Sequence, residues 1–255
     1  MTMTTYFKIA KPDGWDFYTG ETINYRDCLV RGVPAQPPTP DRALGLCSSG
    51  VIHASRRAED CFQGGTIPCS LFRVRGKPVV EDASKAGFLS LEVVEELNPA
   101  NHFRWRYEKA VNPVRPFSLT PPPIDNEILA LLTQWASVGY SVWASVGASV
   151  RASVGASAWD SVRASVGASA WDSVRASVRA SMGYSGRASV RESVRESVGA
   201  YVGYIFAPVV PAWRTMYPYQ AGVDLWKCGL VPSFDGRVWR LHGHEDARVL
   251  WEGTV

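Results

Sequence analysis

The pattern of apolar and polar positions changes character twice along the chain. In the N-terminal part, Tyr6–Ala10 predicts a short strand, ended by the Pro12-Asp13-Gly14 turn. Ser70–Arg75 alternates Leu71, Arg73 and Arg75 against Phe72 and Val74, a second strand. Phe88–Leu97 and Phe103–Tyr107 are further strand candidates. Ala54–Phe62 predicts a short helix, with Ser55 as N-cap and Gly64-Gly65 as terminator. Residues 1–118 therefore predict an α+β head domain. The prolines of Phe117–Pro123 stop any regular element, and residues 119–136 form a Pro-rich linker and capping helix. In that helix Asp125 caps Glu127–Trp135, whose Ile128, Leu131, Leu132 and Trp135 make one apolar face.

From 137 to 204 the pattern becomes a tetrapeptide. Ser recurs every four residues from Ser137 to Ser197, and Val follows it in nearly every unit. The third position is Gly, Arg or Trp, and the fourth is Ala, Asp, Glu or Tyr. Residues 153–164 recur unchanged as 165–176. A core position tolerates no such range of volumes, so the third position is expected to face solvent or a partner. An α-helix advances 400° in four residues, which turns a valine stripe by about 40° per unit. The 8 Gly, 13 Val and 16 Ser of the array also cost a helix on the order of 20 kcal/mol relative to Ala. Both arguments favour a tetrapeptide-repeat β-solenoid, with valines inward and a corner at each unit, over packed helical hairpins.

Residues 205–255 predict a C-terminal helix plus a β-hairpin or meander cap. Tyr219–Cys228 is the helix, with Gly229 at C′. Val231–Phe234, the Asp235-Gly236 turn and Arg237–His242 form the hairpin, and Ala247–Glu252 a third strand. Trp226, Trp239 and Trp251 are expected in its core. Such a cap would cover the open end of a solenoid.

The chain has 255 residues, 20% charged and 46% hydrophobic, with a formal net charge of +3. That balance suits a globular chain and argues against an acidic nucleic-acid mimic. Five cysteines with no CxxC pair argue against a disulfide framework and for a cytoplasm. No apolar leader and no membrane-length apolar run occurs, so no membrane partner is expected.

Catalytic motifs are absent: no GxGxxG, P-loop, GxSxG or HExxH is found. Cys47, His53, Cys61 and Cys69 match no zinc spacing, and neither a metal nor a cofactor is expected. Glu92 and Glu96 of LEVVEEL share strand parity and read as the polar face of an edge strand. His242 and His244 read as two exposed histidines. The candidate partner-binding residues lie at the third repeat position: Trp143, Arg151, Trp159, Arg163, Trp171, Arg175, Arg179, Arg187, Arg191 and Arg195. Stacked in ladders, they would present charge and aromatic faces. The expected function is thus a non-enzymatic scaffold whose partner is a protein, with a nucleic acid as the other reading.

LCSSGVIHASRRA (46–58) followed by SLFRVRG resembles a small N-terminal module of uncharacterised phage and bacterial proteins, set before short-period repeats. The tail DLWKCGLVPSFDGRVWRLHG is similar to the ending of the same proteins. The resemblance implies architecture and no activity. Gly50, His53, Ser55 and Ala58 are also similar to a segment of ADP-ribosyltransferase-like folds, which implies a nucleotide-handling enzyme in the head. No first-strand Arg or His motif and no Gln/Glu-x-Glu pair accompanies them.

Overall fold

The structure is a computed structural model that describes residues 4–43, 45–46, 48–139, 141–167 and 184–255. The chain divides into two compact units, Met1–Tyr107 with Val154–Ser161, and Glu108–Ser153 with Val162–Val255.

In the first unit β1 (Thr5–Ala10) and β3 (Ser70–Arg75) form where the strand pattern predicts them. Strand β3 pairs antiparallel with both β1 and β6 (Glu92–Leu97), in the order β1-β3-β6. Strand β3 is central, and the adjacent residues Leu71 and Phe72 are both fully buried. A second sheet has the order β2-β5-β4, from β2 (Ile52–Ala54), β4 (Val80–Glu81) and β5 (Ala86–Phe88). The predicted strand Phe88–Leu97 is thus split between two sheets, and Leu91 in its middle pairs by backbone with Ala35. The predicted helix 54–62 begins as strand. Ser55 is no N-cap there, because its backbone pairs with Phe7 in both directions. Only a 3-10 turn, Ala58–Phe62, remains helical.

Helix α1 (Tyr25–Arg31) starts at Asn24, whose Oδ1 accepts from the Arg26 and Asp27 amides at 3.0 and 3.1 Å. Tyr6, Tyr25, Phe72, Val74, Phe88 and Leu91 fill the core, with Tyr6 edge-on to Phe88 at 4.9 Å. The short helix α2 (Pro99–His102) precedes Phe103–Tyr107, which is not a strand. Phe62, Phe103, Trp105 and Tyr107 make an aromatic cluster there, and the Tyr107 hydroxyl accepts from the Cys69 amide at 2.8 Å.

The repeat array corrects the solenoid expectation. Among the described residues the array holds no solenoid coil. It is helical in α5 (Val142–Val154), α6 (156–167) and α7 (Tyr184–Phe206). The two arguments for a solenoid fail for identifiable reasons. A drift of about 40° per unit disqualifies only a long helix, and α5 carries four valines, so its stripe turns about 120° in all. A buried helical face is more than about 100° wide. Val142, Val146, Val150 and Val154 are accordingly all buried. Gly139 at φ 78° and Gly155 at φ 89° adopt backbone that other residues avoid, and they end α4 (Asn126–Val138) and α5 before the drift exposes a valine. The propensity cost of serine remains, and burial of the valine face outweighs it. Ser153 and Ser197 donate to the carbonyls of Ser149 and Ser193, four residues back. The valines of α7 lie in a segment that becomes apolar all round, and Val198, Ala200, Tyr201, Val202, Ile205 and Phe206 are fully buried.

Around the array, α3 (Tyr107–Val111) begins at the boundary of the units, and α4 (Asn126–Val138) is capped by Asp125 as predicted. Helix α8 (Gln220–Lys227) leads to an antiparallel sheet in the order β7-β8-β9, from β7 (Val231–Phe234), β8 (Trp239–Gly243) and β9 (Arg248–Gly253). Asp235 closes the hairpin by accepting from the Arg237 and Val238 amides. Trp226 is fully buried and donates from Nε1 to the Val114 carbonyl at 2.9 Å. Trp239 and Trp251 are only half-buried, unlike the core positions expected. Strand β7 is an edge, which is why it tolerates Pro232. The repeat residue Ser193 covers its end, with Oγ 3.0 Å from the Phe234 amide and 3.3 Å from the Phe234 carbonyl. His242 is buried rather than exposed. Its Nδ1 donates to the Ala247 carbonyl at 2.9 Å, which leaves Nε2 to accept from the Ser233 hydroxyl at 2.8 Å. Burial lowers its pKa and favours this neutral form.

Candidate functional site

A cavity of about 280 Å³ lies within the first unit. Five short segments wall it. Strand β1 contributes Lys8 and Ile9, the loop after it Asp16, Phe17 and Tyr18, and β2 with its extension His53 and Ser55. The 3-10 turn brings Asp60 and Cys61, followed by Gln63–Gly65, and Lys85 comes from the residue before β5. A Cβ on Gly65 would press on the Ile9 Cδ1, so a larger residue there needs the Ile9 side chain to move. The Gly65 carbonyl accepts from the Ser161 hydroxyl at 2.8 Å, so one array serine braces the cavity wall.

Lys8 sits within an otherwise apolar strand, half-buried, with its ammonium 2.7 Å from Oδ1 of the buried Asp16. The carboxylate is fully engaged. Oδ1 also accepts from the Tyr25 hydroxyl at 3.2 Å, and Oδ2 accepts from the Tyr18 and Thr19 amides at 3.1 and 2.9 Å. Burial alone would raise its pKa, but Lys8 and the two amides outweigh burial and hold it below the usual range. The Tyr25 phenol is pushed well up, by burial and then by this carboxylate.

His53 is half-buried on the cavity wall. Burial, then the Lys8 and Lys85 ammoniums, bring its pKa down to about 4, against a smaller opposing pull from Asp16 and Asp82. Lys85 donates to Gln63 Oε1 at 2.9 Å. Cys61 donates from Sγ to the Phe7 carbonyl at 3.1 Å, and burial pushes its thiol up to about 12. At neutral pH the cavity therefore offers a neutral imidazole, a protonated thiol and a self-neutralised ion pair. A base with so low a pKa and a thiol with so high a one are poorly matched to proton transfer or nucleophilic attack. Tyr18, 74% exposed, stands at the cavity's edge as an open aromatic surface.

Of the residues that resemble ADP-ribosyltransferase-like folds, His53 and Ser55 line the cavity, whereas Gly50 and Ala58 are buried beside it in sequence. Glu92 and Glu96 do not pair. A bulge opposite Arg73 and Val74 interrupts their alternation, Arg26 clasps Glu96, and Arg73 holds Glu95. Cys61 and Cys69 are free thiols, and no metal-holding cluster occurs among the described residues. Lys8, Asp16 and Lys85 escape sequence reasoning because three distant segments supply them. The one local signal is Lys8 itself, a cation between Phe7 and Ile9 in a buried strand.

The third-position repeat residues do not form one ladder. Arg151, Arg163 and Arg191 are exposed, on three different helices. Trp159 is completely buried, so its position is not a uniformly outward one. Trp143 is half-buried, with the Arg195 and Arg163 guanidiniums 4.8 and 6.0 Å from its ring. Arg195 also pairs with Glu192 at 3.2 Å. The buried Glu196 caps α5 from outside the helix, accepting from the Trp143 amide at 2.7 Å. Trp171, Arg175 and Arg179, and the side chain of Arg187, lie outside the described residues. No described helix is long and apolar enough to cross a membrane. Comparison with protein-family models, with curated proteins and with solved structures gives no match for the chain.

Proposed function

We propose that the first unit is a binding module for a nucleotide-class small molecule, and that it holds this ligand without turning it over. The observation that carries the reading is the cavity itself: an enclosed ion pair, Lys8–Asp16, beside a half-buried His53 and the cationic Lys85, under an open tyrosine face. Its volume, about 280 Å³, falls just below the range usual for small-molecule sites, about 300–1,000 Å³. That suits one mononucleotide-sized group, with the remainder of a larger ligand outside. Tyr18 offers a stacking surface for a planar ring, and such stacking contributes about 1–3 kcal/mol per base. The resemblance of His53 and Ser55 to ADP-ribosyltransferase-like folds points to the same ligand class. Binding without transfer is the better reading because the carboxylates described at the cavity are Asp16 and Asp60, the first neutralised by Lys8. Calorimetry of the full chain with NAD tests this. Saturable binding is expected, weakened about tenfold or more in Tyr18→Ala; absence of heat at millimolar NAD would remove the reading.

The array supports a second role, as a face for a polyanionic partner, because Arg163 and Arg195 from different helices converge on Trp143. With heparin as the probe, affinity is expected to fall steeply with salt and to drop further in Arg163→Glu. A salt-independent response, or one indifferent to that substitution, speaks against this role.

A further inference from the structure

The segment Leu119–Asp125, ahead of α4, has a backbone that its prolines dictate. Pro121, Pro122 and Pro123 fix φ at about −65°, and every residue before a proline is confined to extended ψ. Thr120, Pro121 and Pro122 each precede a proline, so the run adopts polyproline II geometry. Both flanks agree with it. Leu119 lies at φ −94° and ψ 149°, and Asp125 is extended at φ −108° and ψ −174°. A polyproline II helix has three residues per turn, so its side chains form three ridges. The exposure of the segment follows that period. Leu119, Pro122 and Asp125 are exposed, as are Thr120 and Pro123, whereas Pro121 and Ile124 are half-buried. One ridge is therefore seated on the protein and two are open. Glycines allow the close approach beneath: a Cβ at Gly243 would stand 3.1 Å from the Pro121 Cγ, and one at Gly229 3.0 Å from the Leu119 Cβ.

These features select the occupant. The carbonyls of residues 120–124 accept no hydrogen bond from any described residue, and the three prolines have no N–H to offer. A partner's strand cannot pair here, because prolines do not complete a ladder. A polyanion is disfavoured too, since Glu127, exposed just beyond the ridges, is in no ion pair among the described residues. What fits is a groove lined by aromatic rings, whose tryptophan and tyrosine donors reach the carbonyls while the rings pack on the prolines. We propose that Leu119–Asp125 is a docking ridge for a partner protein with an aromatic-lined polyproline groove. The fold already holds the segment in its bound conformation, so docking avoids most of the ordering cost that a free peptide carries.

The test titrates the full chain, by calorimetry, against purified SH3, WW and EVH1 domains, whose grooves read polyproline II. The free peptide of residues 117–127 is titrated alongside. The expected result is that at least one domain binds the chain saturably, and at least as tightly as it binds the peptide. Pro122→Ala and Pro123→Ala, each on an open ridge, should weaken that binding about fivefold or more. Both positions are exposed, so the urea midpoints of the two variants should match that of the unaltered chain. Pro38→Ala, at an exposed proline of the other proline-rich loop, should leave the binding unchanged. A domain that binds the peptide and not the chain overturns the inference, because the fold then hides the ridges. Binding that neither Pro122→Ala nor Pro123→Ala weakens overturns it as well, since the contact then lies elsewhere. So does the absence of binding by every domain at about 1 mM, a concentration at which even weak recognition registers.

Discussion

Lys8→Met is expected to destabilise the first unit by about 3–5 kcal/mol, the cost of leaving a buried carboxylate without its partner. The magnitude follows from how Asp16 is held. It is 3% exposed, and two backbone amides and a phenol add to the Lys8 ion pair, so it cannot turn to water when Lys8 is removed. The pair as a whole is a different matter. Replacing both charges is expected to recover much of the loss, so Lys8→Met with Asp16→Asn should lie within about 2 kcal/mol of the unaltered chain. The pH dependence gives an independent check. Asp16 has a folded pKa below its unfolded value, so its contribution is full above the unfolded pKa and is lost as pH falls through the folded one. In Lys8→Met the sign reverses. Burial then dominates and raises the Asp16 pKa, so its penalty is greatest at neutral pH and is relieved on acidification. Urea denaturation at pH 7 and pH 4 should therefore show the gap between the two proteins closing toward low pH. A gap that is constant with pH would mean that Lys8 acts through packing alone.

Local chemistry proved readable where a single segment decides it. Strands β1 and β3, the Asp125 cap and the Asp235 hairpin all form at the expected residues, because each depends on a side-chain alternation or a cap within a few positions. The cavity was not readable in the same way. His53 and Ser55 had a motif to mark them, but Lys8, Asp16 and Lys85 acquire meaning only when β1, a loop and the edge of β5 meet. His242 was misjudged for the related reason that its partners, Ser233 and Ala247, come from pairing across a sheet. The array shows a third kind of failure. Its period was read correctly, but the geometry was extrapolated over the whole repeat, whereas the glycines at 139 and 155 divide it into helices short enough to keep their valines on one side.

Helical rotation explains why equivalent repeat positions are not equivalent in space, and the largest test of that is at Trp159, in α6. Arginine is what the repeat itself places at this register one unit later, at Arg163, so pattern alone makes Trp159→Arg a neutral exchange. Trp159 is 0% exposed, however, and its neighbour Ala158 is buried at 1%, while Arg163 faces solvent. Trp159→Arg therefore removes a large buried ring and strands a guanidinium in its place, at an expected cost of about 4 kcal/mol or more. The reciprocal Arg163→Trp changes an exposed position that touches the Trp143 ring at 6.0 Å, so its expected effect is well below that of Trp159→Arg. Urea midpoints of the two variants, read alongside helical circular dichroism, decide the matter. Equal midpoints would mean that the repeat presents its third position uniformly outward, as a coil with one residue type per face would do. A large loss confined to Trp159→Arg follows from helices, because each turn of about 100° per residue carries the same repeat slot from solvent to core within a few units.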